Sequence, residues 1–287
     1  MKTLLSKVKT SDIFIEPFPH IIVKDALEEE LFLKLVSEFP SISTINKGIE
    51  NQGIDLLSSN VRIHYLAKEV LSDDTITPLW KKFIALHTSN SFLHEFIYLF
   101  KEHILQIYPH FEKEYGFFET LISGIRKIDT CVMADVLLDA IISINTPVFN
   151  KPNSIRQAHV DLPDKLFAGL FYMRDPQDKS TGGDLELYRF KKGKPYGFKN
   201  CEVDDLYVER VKTIRYGQNV LVLFLNSTYS LHGVSVRSLT EYPRYFVNLL
   251  GEVRKPLFDP LKYQESLQMK FFKKLKKQRV SRELTKT

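Results

Sequence analysis

Residues 156–173 read RQAHVDLPDKLFAGLFYM, and this stretch decides how the second half of the chain is organised. A His-Val-Asp triplet, a Pro-Asp turn signal and an apolar run describe an extended segment, a turn and a buried strand. In extended backbone, side chains two apart share a face, so the His159 imidazole and the Asp161 carboxylate can converge on one ion. Alone, an HxD pair arises by chance too readily to identify a function.

Outward from this stretch, short apolar runs are separated by turn residues: ADVLLDAIISIN (134–145), GDLELYRF (183–190), NVLVLFLN (219–226) and RYFVNLL (244–250). These read as strands, and without long helices between them they favour an antiparallel sandwich or barrel over a βαβ sheet. Residues 1–120 read as mostly helical after an extended opening at Phe18 to Val23. Asp25 is the expected N-cap of a helix carrying Leu27, Leu31, Leu35 and Phe39, stopped by Pro40. Ile63, Leu66, Val70 and Leu71 suggest a second short helix, and Leu79 to Tyr108 suggests two more, broken near Ser89. The expected fold class is therefore α+β with a mainly β core, its N-terminal helices packed on one outer face. No Pro/Gly/Ser linker separates the two parts, so residues 1–261 are expected to form a single domain with its β core at 121–255.

His232 lies 73 residues after His159, in LFLNSTYSLHGVSVRSLTEYPRYFVNLL (223–250), where a strand, a turn, a His-Gly pair and a second strand follow in order. Two histidines and one carboxylate are the facial triad of a non-haem Fe(II) oxygenase, which leaves positions open for a bidentate co-substrate and dioxygen. Arg244, twelve residues further on, is a cation suited to a dicarboxylate co-substrate, because a guanidinium fork grips a carboxylate at two points.

On these residues the chain resembles the 2-oxoglutarate/Fe(II)-dependent dioxygenases, and among them the prolyl-hydroxylase-like group. The likeness runs from HVD through LFYMRDPQDKSTGGDLELYRF to NVLVLFLNSTYSLHGVSV and PRYFVNLL, about a third of the chain. The opening PFPHIIVKDALEEELFLKLVSEFP is similar in a less specific way. The resemblance implies a double-stranded β-helix (jelly-roll, cupin-like) and iron ligands His159, Asp161 and His232. It implies Arg244 on the distal carboxylate of 2-oxoglutarate, with Tyr172 hydrogen-bonding the same group. Arg237, five residues after His232, is the competing cation; Arg244 is preferred because it opens an apolar strand. The intact Asp161 favours hydroxylation or desaturation over halogenation. The implied reaction couples oxidation of an amino acid, a peptidyl residue or a small metabolite to release of succinate and CO₂, consuming dioxygen.

Other positions have ordinary structural explanations. Gly182 and Gly183 in STGGDL are expected to supply positive φ in a turn, Asn145 to be a polar strand end or a cavity residue, and Arg156 to be a surface arginine or to face the substrate mouth.

The chain of 287 residues carries a net charge of +5, but residues 262–287 hold +7 of it and the body −2, which argues against nucleic-acid binding by the body. The tail reads as a basic amphipathic helix from about Tyr263 to Lys277. It is expected to meet an acidic partner, nucleic acid or an anionic membrane surface, or to pack on the body or another copy in a homo-oligomer. The longest apolar run, VLVLFL at 220–225, is far short of the roughly 20 residues of a membrane span. The N-terminus has no signal-peptide core, so the expected location is cytoplasmic. Cys131 and Cys201 lie in neither CxxC nor CxxH spacing, which excludes a disulfide scaffold and a cysteine zinc site. Two alternatives stand beside the oxygenase: a non-catalytic β-helix binding or sensing module, and a cupin-type metalloenzyme that does not use 2-oxoglutarate.

Overall fold

The computed structural model describes residues 1–264. Its strands are β1 (His20–Lys24), β2 (Arg62–Tyr65), β3 (Ser123–Ile125), β4 (Val136–Asn145), β5 (Lys165–Met173), β6 (Leu185–Phe190), β7 (Phe198–Lys199), β8 (Glu202–Val203), β9 (Val208–Ile214), β10 (Gln218–Leu225), β11 (His232–Val234) and β12 (Arg244–Val253). Its helices are α1 (Glu29–Ser37), α2 (Ile42–Ile45), α3 (Ala67–Ser72), α4 (Pro78–His87), α5 (Asn90–Ile107) and α6 (Phe111–Tyr115).

The larger sheet has seven strands in the order β1-β10-β5-β12-β4-β2, with β3 running parallel to the start of β4. The smaller sheet is β11-β6-β9, and the segment around His159 extends it beyond β11. From β4 onward the chain passes between the sheets: β4 in the larger, the His159 segment in the smaller, β5 back in the larger, β6 and β9 in the smaller, β10 in the larger, β11 in the smaller and β12 in the larger. This alternation is consistent with a jelly roll.

Period-two patterning divides the residues of the larger sheet between two interiors. Phe167, Phe171 and Met173 of β5, with Val247 and Leu249 of β12 and Leu221 and Leu223 of β10, pack under the helices. Their alternates Ala168, Tyr172, Phe246, Val222 and Phe224 pack against Leu185 and Leu187 of the smaller sheet. The helical layer is dense in rings: Phe96 lies 4.2 Å from Phe167, and Trp80 is edge-on to Phe39 and donates its indole N–H to Leu35 O at 3.1 Å. Burying each such side chain stabilises the fold by roughly 1.5–3 kcal/mol.

The helices cover one face of the larger sheet, as the sequence predicts, and the break at Ser89 is an N-cap whose hydroxyl accepts from Phe92 N–H. Two details differ from expectation. Asp25 does not cap α1; it adopts φ +49°, and the helix starts at Glu29 without a side-chain cap. Ile63 lies in β2, and only Ala67–Ser72 is helical. Here β pairing with Ile144 overrides a weak helical period. The N-terminal part thus supplies β1 and β2, the two ends of the seven-stranded sheet. The expected basic helix lies, beyond Gln264, outside the described residues, and among those described no helix is long and apolar enough to cross a membrane.

Candidate active site

The HxD segment is held on both sides by backbone hydrogen bonds. His159 and His232 exchange N–H···O bonds, 2.9 Å each way, so the two residues face each other across the strands. On the opposite edge Val160 N–H donates to Cys201 O and Val203 N–H to Ala158 O, both at 2.9 Å, which ties the segment to the β7–β8 hairpin. Ala158, Val160 and Leu231 turn outward into an apolar cluster with Phe190, Phe198, Val203 and Val208. The alternation that buries these three turns His159, Asp161 and His232 inward together. Gly233 permits the close approach, since a Cβ there would lie 3.0 Å from the carbonyl carbon and oxygen of Gln157.

One ligand atom from each of His159, Asp161 and His232 can be chosen so that all lie within 4.8 Å of one another. The His159 Nδ1 is 2.7 Å from Gln157 O and the His232 Nδ1 is 2.9 Å from Ser230 O. A carbonyl only accepts, so both Nδ1 atoms carry the proton and both Nε2 lone pairs are available to a metal. Burial pushes the pKa of both histidines down, well down for His159, where the charges of His232 and Arg156 add to it. Both are neutral ligands at neutral pH. Burial alone would raise the Asp161 carboxyl, but the charge of Lys165, the largest opposing effect, holds it below the usual carboxylate range. Its Oδ1 lies 3.4 Å from Lys165 Nζ and its Oδ2 3.9 Å from His232 Nε2. Two neutral imidazoles and one ionised carboxylate, all reached from one side, fit an iron ion with open positions opposite.

The two candidate cations have different surroundings. Arg237 is buried, with Nη2 2.9 Å from Asp178 Oδ2 and 3.0 Å from Tyr242 O, and Nε 3.2 Å from Ser180 Oγ. Arg244 is equally buried, but its Nε donates to Gly183 O at 2.9 Å while Nη1 and Nη2 have no partner among the described residues. Its guanidinium lies 5.0 Å from the Tyr172 ring centre and 4.8 Å from that of Phe246. The fully buried Tyr172 hydroxyl also lacks a partner. Gly182 and Gly183 do adopt positive φ, +76° and +71°, and a Cβ on Gly182 would meet Val236 O at 1.8 Å.

A cavity of about 200 Å³ opens from the His-Asp-His cluster, and Arg156 lines it. Asn145 accepts from Arg62 Nε at 3.3 Å and donates to Asn60 Oδ1 at 3.3 Å, so it positions a neighbour. Sequence reasoning missed Arg62, His64 and Lys165, which also line the cavity. The i, i+2 spacing of Arg62 and His64 in VRIHYL was the available signal, hidden by the helical reading of that segment.

No protein-family model matches the chain, and no curated protein does. Among solved structures it is similar to a protein of Shewanella oneidensis provisionally assigned as an oxygenase, at 12% identity and TM-score 0.48, covering 89% of this chain and 90% of that one. A prolyl 4-hydroxylase of Phytophthora capsici is similar at 15% identity and TM-score 0.45, covering 82% of this chain, which spans only 59% of that protein. The epimerase SnoN of nogalamycin biosynthesis, solved with Fe³⁺ and α-ketoglutarate, is similar at 10% identity and TM-score 0.44, covering 82% and 78%.

Proposed function

We propose that residues 1–261 form a non-haem Fe(II)- and 2-oxoglutarate-dependent dioxygenase on a double-stranded β-helix. The reaction is hydroxylation of an aliphatic carbon in an amino acid, a peptidyl residue or a small metabolite. The observation that carries this reading is the convergence of His159, Asp161 and His232, with both imidazoles presenting Nε2 because backbone carbonyls hold Nδ1.

When bound, the iron and 2-oxoglutarate supply oxygen activation coupled to release of succinate and CO₂. The protein's part follows from its own groups. His159 and His232 hold the metal as neutral donors, and Asp161 adds the one negative charge. Arg244 and Tyr172 bind the distal carboxylate of the co-substrate: a buried guanidinium with two unpartnered nitrogens beside an unpartnered hydroxyl is a desolvated site that a carboxylate satisfies. The apolar walls of Leu185, Phe224 and Ala168 keep water from the reacting face.

The test is anaerobic addition of Fe(II) and then 2-oxoglutarate to metal-free protein, followed by visible absorption. A charge-transfer band that appears with both and is lost in His232→Ala supports the reading. Its absence in folded protein overturns it in favour of the binding module or the cupin-type metalloenzyme.

A further inference from the structure

We propose that the primary substrate carries an anionic group, a carboxylate or a phosphate, which docks on Arg62 and Arg156 at the mouth of the cavity beside the metal ligands. This inference rests on the oxygenase reading for its substrate, though the anion site itself is defined by charge and geometry alone.

Four cations line the cavity: Arg62, Arg126, Arg156 and Lys165. Two of them are matched. Arg126 is surrounded by carboxylates, with Nε 2.8 Å from Glu252 and Nη1 3.4 Å from Asp139 and 3.7 Å from Glu50. Lys165 is paired with Asp161. Arg62 and Arg156 have no carboxylate within ion-pair distance among the described residues, and Arg156 has no side-chain hydrogen bond there either. Arg62 is nonetheless held in place. Its Nε donates to the buried Asn145, which is fixed by Asn60, and its guanidinium lies 5.3 Å from the Phe246 ring centre. A guanidinium so held and only partly buried presents its terminal nitrogens to the cavity in a fixed plane, the arrangement that binds a carboxylate or phosphate at two points.

The carboxylates Glu50 and Glu252 also line the cavity, but both engage Arg126, so Arg62 and Arg156 remain two like charges without a counter-ion at ion-pair distance among the described residues. Burial and the neighbouring charges of Arg244 and Arg156 lower the Arg62 pKa only to about 10, so it stays charged at neutral pH.

The experiment follows the thermal midpoint of the full chain while inorganic phosphate, and in a parallel arm acetate, is titrated in. Each arm is done metal-free and again with Fe(II) and 2-oxoglutarate under anaerobic conditions. The expected result is stabilisation that persists with 2-oxoglutarate present and that needs about tenfold more anion in Arg62→Gln and in Arg156→Gln. Arg156→Lys, which keeps the charge but not the guanidinium fork, should recover part of it. The arm that acts at lower concentration identifies the substrate's anionic group as phosphate or carboxylate. Stabilisation abolished by 2-oxoglutarate and unchanged in the two glutamine variants would place the anion on Arg244 and overturn the proposal, as would no stabilisation in either arm. An Arg62→Gln variant with weakened 2-oxoglutarate binding and intact phosphate binding would make Arg62 part of the co-substrate clamp, which also overturns it. The visible band separates the two readings. A band without a second anion site removes this proposal alone, and an arginine-dependent anion site without a band removes the oxygenase reading alone.

Discussion

Arg237 and Arg244 stand seven residues apart, are each 1% exposed, and both lie against the ring of Tyr216, at 5.8 and 5.0 Å. Burial and aromatic contact therefore do not distinguish them; their partners do. In the Arg237 corner, Asp178 accepts from Arg237 and Arg174 and from the hydroxyl of Thr240, an ion-pair network that leaves only Nη1 of Arg237 without a partner among the described residues. In the Arg244 corner no carboxylate lies within ion-pair distance among the described residues, and two guanidinium nitrogens and the Tyr172 hydroxyl have no hydrogen-bond partner there. A buried charge with its counter-ion serves the fold, and one without it is the place to test for a ligand anion.

The sharpest way to break this contrast is Arg237→Ala. It leaves Asp178 charged and buried with Arg174 as its remaining ion-pair partner among the described residues and should destabilise the protein by about 1–3 kcal/mol in urea unfolding. If Arg237→Ala is neutral, the corner is not structural. Arg244→Met should leave the urea midpoint unchanged or slightly raised, since it removes an uncompensated buried charge. The concentration of 2-oxoglutarate needed to form the visible band should rise about 100-fold. The same loss in Arg237→Met, with Arg244→Met unaffected, would exchange the two roles. Tyr172→Phe deletes a hydroxyl with no partner among the described residues, so stability should hold while 2-oxoglutarate binding weakens about tenfold.

Acid gives the smallest effect. Burial alone would raise the Asp178 carboxyl, but hydrogen bonds from Ser180 and the charges of Arg237 and Arg174 hold it below its ordinary 3.8. A depressed folded pKa means that the stabilisation is complete above 3.8 and is lost as pH falls through the lower folded value. The Ser180 amide, which donates to Asp178 Oδ1 at 2.9 Å, should therefore lose hydrogen-exchange protection in that window. The backbone amides beside Arg244, with no carboxylate at stake, should not follow it.

Much of the fold could be read from the chain because the runs at β5 and β10 are apolar on both faces, and those at β4 and β12 on the face under the helices. Such strands are buried between the helices and the smaller sheet. The ends of the larger sheet were harder. β1 and β2 are short, and β2 carries Arg62 and His64 on the inward face, so its apolar residues alone mimic a helical period. The candidate ligands were accessible through the i, i+2 rule and the strand-turn-His pattern, both of them local. What separates Arg237 from Arg244 is Asp178, 59 residues from Arg237, and no local pattern contains that distance. The unmatched charge of Arg62 and Arg156 was hidden for the same reason, because which cations lack partners emerges only after every other pair has formed.

The paired backbone hydrogen bonds between His159 and His232 also affect the order in which the molecule comes into being. Each of the two histidines is a rung of the same ladder, and β5 to β10 lie between them in the chain. During synthesis the His159–Asp161 pair emerges long before its partner strand, and a contact closing a 73-residue loop forms late because chain entropy opposes it. If the proposed site takes a metal, its uptake would thereby be tied to completion of the β topology, because a chain that has not docked β11 would hold only two of the three candidate donors.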